Sequence, residues 1–269
     1  MPAPDAGPPA IVAPARAPAP LPELRFHGVG GADLEALRHR VEAALSFAVS
    51  RGEWSQPRRL MKDPLEVEVT ELPRGTLAAA SGPRRFSVSP AALSEARADG
   101  VLAHELTHVL DFRAAGPALA QLPRFLEEGR ALSVGHAWRA LAQEPADDAA
   151  RASQLRALTA EDGAEALRLF RDGAGLAIAK ERGLVGRFMS VGVFFLEYLR
   201  VRGGASDAFA RLSRVLERLG AGTAFDAAFV EQFGRPLAEF EREFVAFLRS
   251  TASDPAERMR GTVYAAPAR

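Results

Sequence analysis

Val101-Leu102-Ala103-His104-Glu105-Leu106-Thr107-His108-Val109-Leu110-Asp111-Phe112 is the stretch from which the rest of the chain can be read. On a helix His104 and His108 lie one turn apart on one face, where two imidazoles reach a single ion at about 2.0–2.1 Å. Glu105 falls about 100° round the axis, too far to be an easy third ligand but placed to meet a water in the ion's open position. The neighbours are apolar nearly all round, so this helix is expected to be buried. Three unpaired polar groups buried there would cost several kcal/mol, whereas a metal accounts for all of them. Asp111 extends the polar face. It reads either as an acceptor for a ligand imidazole or as half of a plain salt bridge.

A catalytic zinc site needs a third protein ligand. Downstream, Gly116-Pro117 should end the helix, and Pro123 suits the first position of a new one. Glu127 and Glu128 then fall in its opening turns, and a helix returning antiparallel can present one of them to the metal. The chain has no cysteine and only five histidines, so thiolate sites, disulfides and cysteine nucleophiles are excluded. Any metal must be held by His, Asp or Glu. Two imidazoles and a carboxylate favour zinc and would also suit iron in another geometry. His27 and His39 lie outside this region and receive no role.

Working outward, Leu65-Glu66-Val67-Glu68-Val69-Thr70-Glu71 alternates at period two and predicts a strand with one wet face; Arg85-Phe86-Ser87-Val88-Ser89 predicts a second, ended by Pro90. Before them, Leu34, Leu37, Val41, Leu45 and Ala48 mark an amphipathic helix over 33–49. After them strand signals vanish. Helical patterns are expected over 91–98, 99–114, 123–142, 146–158, 161–171, 187–202, 206–219, 223–232 and 236–250, with Gly, Pro or Asp between them. A small strand region followed by a long helical run predicts an α+β fold. Residues 1–22 are Pro/Ala-rich and read as an extended tether, 23–250 as one domain, and 251–269 as a polar, flexible tail. The apolar stripes Val193, Phe194, Leu196, Leu199 and Phe240, Phe244, Phe247 read as core.

Lys plus Arg equals Asp plus Glu at 34 each, and no basic stripe is visible, which argues against a nucleic-acid partner. No run is long and apolar enough to span a bilayer. The tether carries no secretion signal as written, yet such tethers often follow the cleaved signal or lipid anchor of envelope proteins. The compartment therefore stays open between envelope or secreted, with a signal upstream, and cytoplasmic. Oligomeric state is not specified by any pattern in the residues.

The motif and its surroundings resemble the gluzincin metallopeptidases, and most closely the peptidase MA-like family. That group follows His-Glu-x-x-His with an aromatic-Leu-x-Glu-Gly-x-Ala box whose Glu before Gly is the third zinc ligand. Here the box is Phe125-Leu126-Glu127-Glu128-Gly129-Arg130-Ala131, so the resemblance implies Glu128 as ligand. The gap from His108 is one residue longer than in related aminopeptidases, which keeps Glu127 as the alternative. Further likeness lies in Met189-Ser190-Val191-Gly192, Gly222-Thr223-Ala224-Phe225 and Phe233-Gly234-Arg235-Pro236-Leu237-Ala238-Glu239-Phe240-Glu241, so that it covers roughly residues 65–250.

The resemblance implies a zincin-like core, one Zn2+ per chain on His104, His108 and Glu128, Glu105 as general base, and a peptide or protein substrate. One position departs from it. Where catalytic members carry a Tyr that stabilises the oxyanion, this chain has Met189, with Phe188 beside it; loss of such a donor typically costs about 100- to 1000-fold in rate. Tyr198 is too far along the helix to substitute. Arg130 and His136 are candidate replacements, though each reads first as structural. The rival expectations are a zinc-binding scaffold domain with weak or no activity, and a zinc hydrolase of a non-peptide amide or ester.

Overall fold

The computed structural model describes residues 21–95, 98–141 and 146–262. The chain is α+β. It opens with β1 (Leu24–His27), α1 (Gly31–Gly52), the single turn α2 (Pro57–Leu60), β2 (Leu65–Val69), β3 (Ala78–Ala80) and β4 (Arg85–Val88). A long helical run follows: α3 (Ala98–Ala115), α4 (Arg124–Leu141), α5 (Ala146–Ala157), α6 (Ala160–Leu169), α7 (Gly173–Glu181) and α8 (Val185–Val201). It ends with α9 (Ala208–Gly220), α10 (Phe225–Phe233), α11 (Leu237–Ser250) and α12 (Pro255–Met259).

The four strands form one sheet in the order β1-β2-β4-β3. β1 and β4 flank β2 in parallel, and β3 lies antiparallel to β4 at the edge. The predicted alternation of β2 is realised: Leu65 and Val67 are buried with Phe86 and Val88 of β4, while Glu66 and Glu68 are part-exposed. On that wet face Glu66 accepts from Arg25 and pairs with His27 at 2.6 Å, so His27 has a surface partner, away from the candidate metal ligands. α3 lies against β3 and β4, with α1 and α4 along its other sides. It is the central element that the apolar stretch 101–112 predicts.

Four expectations need correction. β1 and β3 are strands that the patterns do not announce; β3 is Ala-Ala-Ala, a weak strand former held by its ladder to β4. The helix expected over 91–98 is instead a 3-10 turn at Pro90–Leu93, separate from α3. α7 is a further helix in a Gly/Ala-rich stretch, capped by the Asp172 carboxylate accepting from Gly175 N–H at 2.9 Å. The expected flexible tail from 251 is wrong as far as residue 262, because Thr251, Arg258, Met259 and Thr262 are buried. Residues 263–269 lie outside the described residues, as does the tether up to residue 20; Leu21 and Pro22 already pack on the domain. The apolar stripes are core, with Phe194, Phe195, Tyr198, Phe244 and Phe247 forming one aromatic cluster.

α4 is held between two helices by close backbone contact. A Cβ on Gly135 would stand 2.5 Å from the carbonyl oxygen of Gly100 on α3. One turn and a half earlier, a Cβ on Gly129 would stand 2.5 Å from the carbonyl carbon of Gly192 on α8. Only glycine permits these crossings, and they fix where the acidic pair 127–128 lies relative to α3.

Candidate metal centre

His104 and His108 project from one face of α3 as their spacing predicts, with their Nε2 atoms 3.1 Å apart. Beyond the helix, Gly116 takes φ 58°, the left-handed conformation that ends α3 and turns the chain back. α4 begins at Arg124, one residue after the Pro123 that the sequence marks, and the Pro123 carbonyl accepts from Leu126 and Glu127. Its first free N–H groups are also satisfied, since Arg124 and Phe125 donate to the carbonyls of Arg171 and Phe170, each at 2.9 Å. This anchored first turn places Glu128 opposite the two imidazoles. Its Oε2 lies 3.4 Å from His104 Nε2 and 3.4 Å from His108 Nε2.

Three donor atoms thus form a triangle of 3.1, 3.4 and 3.4 Å. Ligand bonds of about 2.0–2.1 Å at tetrahedral angles set donors roughly 3.3–3.4 Å apart, so the triangle has the size of a zinc site. Glu128 Oε2 is buried and has no hydrogen-bond partner among the described residues, although its other oxygen has one. A buried carboxylate oxygen without a hydrogen bond, facing two imidazole nitrogens, calls for positive charge on or between the rings. His104, His108 and Glu128 are together a group that could hold a metal ion.

The surroundings agree in charge. Three carboxylates, those of Glu105, Glu127 and Glu128, face the two imidazoles, and one guanidinium, Arg124, pairs with Glu127 and Glu128. Burial works against a charged His108, yet the carboxylates of Glu127 and Glu128 more than reverse it and raise the imidazole well above its usual range. Burial also opposes the charged Glu128, but the two imidazoles hold that carboxyl far below the ordinary carboxylate range.

Glu105 stands apart from the triangle, as its position on the helix predicts. Its Oε2 accepts from the Ala80 N–H of β3 at 2.9 Å, and its Oε1 lies 3.7 Å from His104 Nε2. The side chains of His104 and Glu105 are 12% and 19% exposed against 8% and 7% for His108 and Glu128, so the site opens on the Glu105 side. One carboxylate oxygen is therefore fixed by the sheet while the other faces the open side of the candidate centre.

Glu127, the alternative ligand, is placed differently. Its Oε1 faces His108 Nδ1 at 3.3 Å, on the side of the ring away from the triangle. It is the carboxylate facing the outer nitrogen of a ligand imidazole, the place that the sequence offers to Asp111. Asp111 instead pairs with Arg130 in a fully buried ion pair, with burial lifting its carboxyl to about 6 against the pull of the guanidinium. Arg130 also lies over the Trp54 ring, 4.7 Å from its centroid, and donates to Ser213 at 3.1 Å, so it is structural. His136 lies two turns beyond Glu128 on the same helix.

Two contributors are not found by the sequence reading. Arg124 pairs with Glu127 at 2.6 Å and with Glu128 at 2.8 Å. Its spacing of three and four from the two acids is the available signal, a common one on helix surfaces. The Ala80 N–H has no side-chain signal at all. No family model matches the chain, and neither the curated proteins nor the solved structures give a match.

Proposed function

We propose that this chain is a zinc-dependent hydrolase of peptide bonds, a gluzincin-type metallopeptidase built on a zincin-like core, with one Zn2+ held by His104, His108 and Glu128. The observation that carries the reading is the buried, unpartnered Glu128 Oε2 at 3.4 Å from each of two Nε2 atoms. Zinc there would act as a Lewis acid on a substrate carbonyl and lower the pKa of a water. Glu105 takes the proton of the attacking water at its Oε1 and delivers it to the leaving amine. The hydrogen bond from Ala80 N–H keeps this carboxylate from swinging onto the ligand positions.

β3 supports a peptide as substrate. Ser81 bonds to β4 and the Ala80 N–H to Glu105, so by alternation the carbonyl of the half-buried Ala80 turns away from β4, to the side where no strand lies among the described residues; Ala78, at the other end of β3, is buried. An extended peptide laid along that edge would run beside Glu105.

A second reading, a zinc-binding domain with little turnover, is favoured by one observation. On α8, at the turn the resemblance aligns with a Tyr, Phe188 is buried and Met189 half-buried, and neither can donate a hydrogen bond. Tyr198 is packed in the aromatic cluster. One experiment separates the two. Metal content is measured on wild type and His108→Ala, and cleavage of a quenched-peptide library on wild type and Glu105→Gln. One zinc per chain, lost in His108→Ala, with cleavage reduced about 100-fold or more in Glu105→Gln while zinc is retained, is expected. Zinc without cleavage selects the second reading, and no zinc ends both.

A further inference from the structure

The geometry points to Arg124 as a positioning residue that makes Glu128 a single-oxygen ligand and orients His108 through Glu127. This rests on the metal-site reading above and names what sets the grip of that site. Arg124 is part of a closed circuit of contacts. One Nη holds Glu127 Oε2 at 2.6 Å, and Glu127 Oε1 faces His108 Nδ1 at 3.3 Å. The other Nη holds Glu128 Oε1 at 2.8 Å, and Glu128 Oε2 faces His108 Nε2 at 3.4 Å. The planar guanidinium therefore grips two adjacent carboxylates at once, each of which addresses a different nitrogen of the same imidazole. A lysine, with a compact ammonium, cannot span both in that way.

Two consequences follow from the chemistry. With Oε1 occupied by Arg124, Glu128 has one oxygen to offer the ion; freed of Arg124, both oxygens can reach it and the coordination number rises. With Glu127 released, the His108 ring loses the carboxylate that faces its Nδ1 at 3.3 Å, and partners of this kind typically contribute about 10- to 100-fold to metal affinity. Arg124 also carries a positive charge toward a cation site. If charge alone mattered, removing it would tighten binding, so the sign of the effect separates positioning from charge balance.

The test measures zinc affinity of the full chain by competition with a chromophoric chelator, for wild type, Arg124→Gln, Arg124→Lys and His108→Ala. Each protein is also loaded with Co2+ for its visible spectrum, and the metal-free forms are melted to compare folding. Expected are a loss of about 10- to 100-fold in zinc affinity for Arg124→Gln, a smaller loss for Arg124→Lys, and weaker Co2+ d–d absorption in Arg124→Gln as the coordination number rises. Should Arg124→Gln prove unfolded without metal, Arg124→Lys carries the test, since it keeps charge and length and loses only the fork. Wild-type or tighter affinity in Arg124→Gln, or wild-type affinity and spectrum in a folded Arg124→Lys, overturns the proposal while leaving the centre intact. Equal, weak zinc binding by wild type and His108→Ala would remove the centre itself and Arg124's role with it.

Discussion

Asp111 and Arg130 show how one residue on each ligand helix locks the other helix in place. Both are essentially unexposed, and they join α3 to α4 within a turn of the candidate ligands. Arg130 extends the link through Ser213 of α9, whose hydroxyl donates to the Gly52 carbonyl at the end of α1. Removing one partner of a buried pair leaves the other charge unpaired, typically at about 3–5 kcal/mol, whereas replacing both with apolar groups is often neutral. Arg130→Ala is therefore expected to lose about 3–5 kcal/mol of stability by urea denaturation. The double replacement Asp111→Leu with Arg130→Met should recover most of it. If the double variant is as unstable as the single one, the hydrogen bond from Arg130 to Ser213 matters more than the pair's charge.

At the scale of elements, the site exists because α4 approaches two helices at backbone contact. The motif on α3 was legible because the three positions of His-Glu-x-x-His translate directly into helix geometry. The choice between Glu127 and Glu128 was not legible from the residues alone, since it depends on the rotation of α4, and that is set by Gly129 against Gly192 and Gly135 against Gly100. The strand β3 was illegible for a different reason: three alanines carry no period, and only the ladder to β4 and burial against α3 make them a strand. At Gly192 a methyl group would meet the Phe125 carbonyl oxygen at 2.3 Å and Gly129 Cα at 3.2 Å, both backbone atoms that cannot rotate away. Gly192→Ala should thus push α8 from α4 and cost about 1–3 kcal/mol as overpacking. Because α4, the helix that α8 would then brace less closely, carries Glu128, affinity for zinc at the proposed site should fall with it. Ala at the exposed Gly173, where nothing lies within 4 Å, is the control expected to leave the metal site untouched. A Gly192→Ala protein with unchanged melting would mean that the two helices separate freely.

Across the whole molecule, the sheet, α1, α3 and α4 build the candidate centre, and the later helices brace α4 through α8. What completes the brace is the segment that composition marks as a polar tail. Arg258 is 3% exposed and has no carboxylate partner among the described residues. It donates to the carbonyl of Arg156 in the last turn of α5 and of Leu158 just after it, to the carbonyl of Leu248 near the end of α11, and to the Thr251 hydroxyl. The carbonyl acceptors lie up to about a hundred residues away in sequence, and no pattern in the residues announces such partners. Each is an orphan carbonyl at or near a helix end, the place where a cation is favoured by both hydrogen bonding and the helix dipole. A charged hydrogen bond contributes roughly 1.5–3 kcal/mol, and dry carbonyls left unpaired add to the loss. Arg258→Ala should lower the melting temperature by several degrees, at about 2–4 °C per kcal/mol for a chain of this size. A chain truncated after Ser250 should fall at least as far. Since α5 and α11 carry no ligand, the zinc stoichiometry of both folded variants should equal that of wild type. A truncated chain that melts with the full one would show that the last turn rides on the fold without bracing it, and the composition would then have described 251–262 correctly.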